Sequence, residues 1–248
     1  MSESGEVFLN APLKGVAYEV RFPSLFSISQ AIGKFQLEIM DDFPKASQLF
    51  ATPFAVIEEG VPKLPAGSSD KIITSWQFAS ETGNTKVTVK LDSLSITSEE
   101  YHSYDNPAKK KFKEVINKTV TKFVEQVPIT KFTRIGLRYT DHCPLAEKTN
   151  RYFKKYYEPT FNIDKYRIDD WEEGFLVIRT KKEKHNILFQ SRIEKIDGEY
   201  KYVMDFDAYA ENVNFDDFLA VTDELRDLDR SEFLSNTTED FKEYMRGH

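Results

Sequence analysis

The chain has 248 residues, a net charge of −7, a pI near 5.3 and 40% apolar residues, including 20 Phe and 12 Tyr. It can bury a sizeable core as one large domain or two small ones. Ten Gly and ten Pro argue against a loop-rich or repetitive fold, and the acidic balance gives no general electrostatic reason to bind nucleic acid. The single cysteine, Cys143, excludes an intrachain disulfide and suits a reducing cytoplasm. The opening Met1-Ser-Glu-Ser-Gly-Glu-Val lacks the basic and apolar regions of a signal peptide. No apolar run approaches the roughly 18 residues of a membrane span. The expectation is a soluble, cytoplasmic protein without membrane contact.

In chain order, Gly15–Phe22 alternates as a strand, with Val16, Tyr18, Val20 and Phe22 facing a core and Ala17, Glu19 and Arg21 facing away. Pro23 ends it. Ser27 or Ser29 can cap a helix to about Phe43, whose Ile28, Ile32, Phe35, Ile39 and Phe43 form one stripe. Residues 44–70, rich in Pro, Gly and Ser, read as a long loop with a short edge strand at Phe54–Glu58. Three strands follow, Lys71–Ser80, Thr85–Leu91 and Ser93–Thr97, joined by turns at Glu81–Asn84 and Asp92-Ser93. Asn106-Pro107 reads as the start of a helix running to about Val127, with Phe112, Val115, Ile116, Thr119, Val120 and Phe123 inward.

Thr133–Asp141 is the clearest strand of the chain: Ile135, Leu137 and Tyr139 point one way, and Arg134, Gly136, Arg138 and Thr140 the other. Residues 145–158 can be helical and 159–170 read as a linker. Strands at Trp171–Lys181, Lys184–Ile193 and Tyr200–Ala210 follow, the last two joined by the hairpin signal Asp197-Gly198. Asn214 can cap a helix bearing Phe218, Leu219, Thr222, Leu225 and Leu228 inward, and Thr238 opens a last helix to Met245. The order strand, helix, three strands, helix therefore occurs twice. Trp76 and Trp171 open corresponding strands, and Val20-Arg21-Phe22 matches Leu137-Arg138-Tyr139. The expected fold is α+β: a single domain of two pseudo-repeats, about 13–128 and 129–248, forming a mainly antiparallel sheet with helices packed on one face. One continuous sheet is favoured because no linker separates Pro128 from the central strand.

Ala11–Phe22, Trp76-Gln-Phe, the central Arg134-Ile-Gly-Leu-Arg-Tyr139 and the C-terminal Phe233, Thr237-Thr-Glu-Asp and Met245 resemble a sporadically distributed prokaryotic family with no established activity. The resemblance covers nearly the whole chain, and the central motif is its most specific part. Members often carry Asn just after that motif, where this chain has Thr140-Asp141. The family's patchy distribution resembles that of mobile or defence-associated bacterial genes. It supplies no catalytic residues to carry over.

The usual phosphate-binding loops and the nucleophile elbow are absent from the sequence. Gly67-Ser-Ser is a loop serine pair without catalytic context. His142-Cys143 is the sharpest enzymatic candidate, but strand neighbours point to opposite faces, which favours a half-buried structural thiol. The four His and one Cys lack metal-ligand spacing, so no metal or cofactor is expected. Glu99-Glu100 beside Tyr101-His102 is the one acidic pair with a nearby acid–base partner. Lysines 109, 110, 111, 113, 118 and 122 read as a solvated helix face. The candidate binding residues are Glu19, Arg21, Arg134 and Arg138, on the polar faces of the two equivalent strands. Simple cross-strand pairing competes there with a recognition face in which Arg forks grip a carboxylate, a phosphate or a protein. The expected function is a non-enzymatic binding or interaction protein with a protein partner or self-association, set in a bacterial defence or stress operon. The alternatives are a hydrolase or nucleotide-processing enzyme with a pocket between the half-sheets, and a structural homodimer subunit.

Overall fold

Period-two alternation builds one large sheet here, and period-3.6 stripes cover one of its sides. The structure is a computed structural model that describes residues 8–51, 56–58, 61–63, 72–101, 104, 111–171 and 174–247. The strands of the sheet are β1 (Leu13–Arg21), β2 (Lys45–Ala51), β5 (Ile72–Ala79), β6 (Thr85–Val89), β7 (Ser93–Ser98), β8 (Lys131–Pro144), β9 (Gly174–Lys182), β10 (His185–Ile196) and β11 (Glu199–Asn214). A separate two-stranded hairpin joins β3 (Val56–Glu58) and β4 (Val61–Lys63). The large sheet is antiparallel throughout, in the order β2-β5-β6-β7-β1-β8-β11-β10-β9. The chain is therefore α+β with one continuous main sheet. Among the described residues, no helix is long and apolar enough to cross a membrane.

The five described helices are α1 (Ile28–Ile39), α2 (Phe112–Gln126), α3 (Asn150–Tyr156), α4 (Phe218–Ser235) and α5 (Glu239–Arg246). Their apolar residues pack on the sheet face formed by Val16, Tyr18, Val20, Ile135, Leu137, Cys143, Tyr202, Met204, Phe206 and Ala208. The core has two clusters. One joins α1, α2 and the N-terminal part of α4 to β1, β6 and β7; the other joins α3 and α5 to β10 and β11, and Leu228 touches both. The stripe predicted for α2 is buried as expected, and so are Ile28, Phe35 and Ile39 of α1. In the second cluster Phe153, Tyr157, Tyr202 and Phe241 meet at ring-centroid distances of 4.8–5.3 Å. The untidy aromatic run at 152–157 is thus a core anchor.

Several expectations need correction. Lys45–Ala51, read as loop, is an edge strand paired with β5. The strand expected at Phe54–Glu58 is the short β3, paired with β4 rather than with the sheet. Helix α2 starts at Phe112 after an extended Lys111; Asn106-Pro107 lies outside the described residues. Asn214 precedes a 3-10 turn, and the α-helix proper begins at Phe218. Trp171 lies before β9, with its ring over Gly174, whereas Trp76 is buried inside β5. The Asp197-Gly198 hairpin forms as predicted, with φ of 51° and 88°, both in the left-handed region that a tight primed turn requires.

At the centre, β1 and β8 pair so that Ala17, Glu19 and Arg21 oppose Arg138, Gly136 and Arg134. That register is centred on Glu19 and Gly136. Outwards from this pair the strands follow as β7, β6 and β5 on one side and β11, β10 and β9 on the other.

Candidate functional site

The face opposite the helices carries no described helix. Residues directly opposite in a ladder point the same way, so the register fixes its membership. Arg21, Glu19 and Ala17 of β1, Arg134, Gly136 and Arg138 of β8, and Asp205, Asp207 and Tyr209 of β11 all lie on it. All four sequence-predicted residues are thus on adjacent strands, near the middle of the sheet.

They form a chain of ion pairs. Arg21 Nε donates to Glu19 Oε1 at 2.6 Å, and Arg134 Nη1 donates to the same oxygen at 3.1 Å. Arg134 Nη2 donates to both oxygens of Asp207, at 2.7 and 2.8 Å. Arg138 grips Asp205 with a fork, Nε to Oδ1 at 2.7 Å and Nη2 to Oδ2. The Arg134 guanidinium also lies 4.6 Å from the Tyr209 ring centroid, which adds a cation–π contact. Gly136 makes this possible. A Cβ there would stand 2.4 Å from Arg134 Nη1, so the guanidinium lies across a position that has no side chain.

Burial sorts the members. The Asp205 side chain is 4% exposed and that of Arg134 is 18%, whereas Arg138 is 48% exposed and Arg21 56%. Burial pushes the Asp207 carboxyl up, and Arg134 and Arg138 oppose it. The hydrogen bond to Asp205 raises Arg138, and the one to Glu19 raises Arg21. Arg134 is therefore an internal strut, while Arg21 and Arg138 present guanidinium surface to solvent. The sequence offers Glu19 a partner in Arg134 or Arg138, and Arg134 is the one it meets. The sequence reading missed Asp205 and Asp207, although Met204-Asp-Phe-Asp-Ala-Tyr209 alternates as cleanly as the central motif.

Over the whole ladder, this face carries Lys45, Lys86, Arg21, Arg134, Arg138, Arg179, Lys181, Arg192 and Lys201 against Glu19, Glu194, Glu199, Asp205, Asp207 and Glu211. Among these ladder-paired residues nine cations face six carboxylates, and Glu99, just beyond the end of β7 on the same face, makes seven, a local excess of two positive charges on a protein of net charge −7. The acidity is concentrated elsewhere, on the helical side and the loops.

The other candidates separate. Cys143 is fully buried under the helices and burial raises its thiol well above the ordinary range, while His142 lies on the bare face with its own ionisation lowered by burial. The two side chains diverge as strand geometry requires. Glu100 accepts hydrogen bonds from Thr82 and Thr85, which ties it to the β5–β6 turn. His102 and Gly67-Ser-Ser lie outside the described residues. Lys113, Lys118 and Lys122 pair with Asp223, Asp42 and Glu38, so this part of the basic helix is neutralised within the fold. Among the described residues, no group of three or more His, Cys, Asp or Glu is placed to hold a metal ion.

One acidic feature escaped the sequence reading. Asp141 and Asp229 are buried beneath the helices, without an ion-pair partner among the described residues. Burial first, and then the charge of Asp205, pushes the Asp141 carboxyl up to about 7; Asp229 is raised well above the ordinary range, again chiefly by burial. Asp141 falls between Tyr139 and Cys143, which belong to different core clusters, and Asp229 follows Leu228, which touches both. The chain matches no family model and no curated protein, so the functional reading rests on this geometry.

Proposed function

We propose that the chain is a non-enzymatic binding protein whose bare sheet face recognises an acidic surface on a partner protein. The observation that carries this reading is the local excess of positive charge on a helix-free face, in a protein that is acidic overall. Complementary potentials steer encounter and suppress wrong partners. Exposed guanidiniums held by buried carboxylates, as Arg138 is by Asp205, are already oriented and lose little freedom on binding. Divergence of His142 from Cys143 disfavours the enzymatic alternative built on that pair.

We read the sheet as two copies of one β-α-β-β-β-α unit, about residues 13–128 and 129–248. In its support, an offset of 117 positions carries Ala17, Glu19 and Arg21 onto Arg134, Gly136 and Arg138, and maps the β1–β8 ladder onto itself. The flanking strand orders agree with that reading. A bacterial defence or stress operon is the setting we propose, on the strength of the resemblance of the central motif.

The test is affinity capture from a bacterial lysate, using the whole chain and an Arg21→Glu/Arg179→Glu variant. Both positions are exposed on the bare face, so folding is preserved, as circular dichroism will verify. A partner held by the wild type and lost by the variant supports the reading; equal retention contradicts it. A second reading, self-association, is favoured by the edge strand β9, where Phe175 is 63% and Val177 50% exposed. Exposed apolar edge strands pair readily with another strand. Recovery of the chain's own second copy alone would select that reading.

A further inference from the structure

The two outer edges of the main sheet differ. On β2 the pairing with β5 shifts register between Leu49 and Phe50, an irregularity of the kind that blunts an edge. β9 pairs with β10 from Gly174 to Lys182 without a shift, and no described strand lies beyond it. Its outer backbone N–H and C=O groups are therefore a straight template for one more strand. Gly174 to Ile178 carry neither charge nor Pro, the usual protection of such an edge. This stretch is apolar on both faces. Phe175 and Val177 stand on the bare face, opposite Arg192 and Gln190 of β10, and Leu176 and Ile178 on the helical face, opposite Ser191 and Phe189. Ile178 is exposed as well, at 37%. A cleft of about 350 Å³, lined by Phe161, Tyr166 and Trp171, adjoins Leu176.

The order of residues along β9 says which strand fits. An antiparallel second copy centred on Val177 sets Val177 against itself, Leu176 against Ile178, Phe175 against Arg179 and Gly174 against Thr180. Each apolar side chain then meets another, or, at Phe175, a guanidinium able to stack on its ring. Centring on Arg179 instead would oppose two guanidiniums, and centring one residue further would set Arg179 against Lys181. A parallel copy in register would likewise bring Arg179, Lys181 and Lys182 beside their own copies. The sequence is also oppositely charged at matching intervals about Val177, with Glu172-Glu173 before it and Lys181-Lys182 after it. Antiparallel copies therefore run acidic end to basic end, a match that a second copy of this chain carries by construction.

We propose that β9 pairs with β9 of a second copy, antiparallel and centred on Val177, joining two nine-stranded sheets into one with both bare faces on the same side. The proposal rests on the self-association reading and gives it a register, and it leaves the bare face open to an acidic partner. Light scattering of the purified full chain at micromolar concentration is expected to give twice the chain mass of 28.8 kDa. Val177→Lys sets two lysines against each other at an exposed position and is expected to give a monomer with unchanged circular dichroism. Cross-linking reads the register, and decides the matter if Val177→Lys fails to fold. Directly opposed residues have Cβ atoms about 5 Å apart, close enough for a disulfide, and the native Cys143 is buried. Under copper-phenanthroline oxidation, Val177→Cys is expected to form a covalent dimer. Arg179→Cys, whose two copies would stand about 13 Å apart along the strands, is expected to remain uncrosslinked. A wild-type monomer would overturn the proposal together with the self-association reading. A dimer that survives Val177→Lys, that fails to cross-link through Val177→Cys, or that cross-links equally through Arg179→Cys would overturn this register alone. Capture from lysate plays no part in these measurements, so the partner reading stands or falls separately.

Discussion

Gly136 and Arg134 lie two residues apart on one face of β8, and the missing side chain of one is what lets the other lie across the strand. Alternation placed Glu19, Arg21, Arg134 and Arg138 on polar faces, and all four do lie there. What the sequence could not supply was the neighbour: without the strand order, Asp205 and Asp207 are only two acids on another strand. The buried acids were illegible for a related reason. Asp141 follows the period of Ile135, Leu137 and Tyr139, so its burial is written in the pattern, but its charge argues against it. Its carboxyl, raised to about 7, ordinarily titrates near 3.9. The folded state therefore keeps a proton that the unfolded chain gives up between those values. Stability should fall as pH rises from about 4 through 7, and above that the fold bears a buried charge. Asp141→Asn should leave stability at pH 4 nearly unchanged and raise it at pH 8 by on the order of 2 kcal/mol. Urea denaturation at the two pH values checks this; equal effects at both would refute the buried-charge account.

At the scale of elements, the central three strands are laced together by a side-chain network as well as by their backbones. Arg134 of β8 holds Glu19 of β1 and Asp207 of β11 at once. Arg134→Ala leaves both carboxylates without that donor, and Asp207 is substantially buried. The expected cost is roughly 1–3 kcal/mol. Arg134→Lys should recover part of it, because one ammonium cannot reproduce the fork on Asp207. Chemical denaturation of the pair measures this; an Arg134→Ala protein as stable as wild type would show that the network contributes nothing. Elements were legible where one face is buried and the other wet. β1, β6, β7 and β8 were placed to within a few residues of their true ends, whereas α2 and α4 begin later than their sequence signals suggest. The missed strand, β2, is an edge strand with its side chains exposed from Lys45 to Phe50, so no alternation marks it. The extra length of β8, β10 and β11 was also hidden, because continuous pairing with a neighbour sustains a strand beyond the point where its own pattern fades.

For the molecule as a whole, the decisive asymmetry is between two sides of one sheet. The helical side buries the core, and the bare side gathers cations around the ion-paired centre of the sheet. One continuous sheet was inferred from the missing linker at Pro128, and β1 and β8 do meet at its centre. The charge asymmetry was not inferable in advance, since overall composition is acidic and only the register sorts its charges by face. If that face is the recognition surface, its lysines become protected when a partner binds. The most direct measurement is amine acetylation footprinting of the captured complex, read residue by residue by mass spectrometry. Lys45, Lys86 and Lys181 should lose reactivity in the complex, while Lys34 and Lys118 on the helical side keep theirs. Protection of Lys34 and Lys118, with Lys45, Lys86 and Lys181 as reactive as in the free protein, would contradict a recognition role for the bare face.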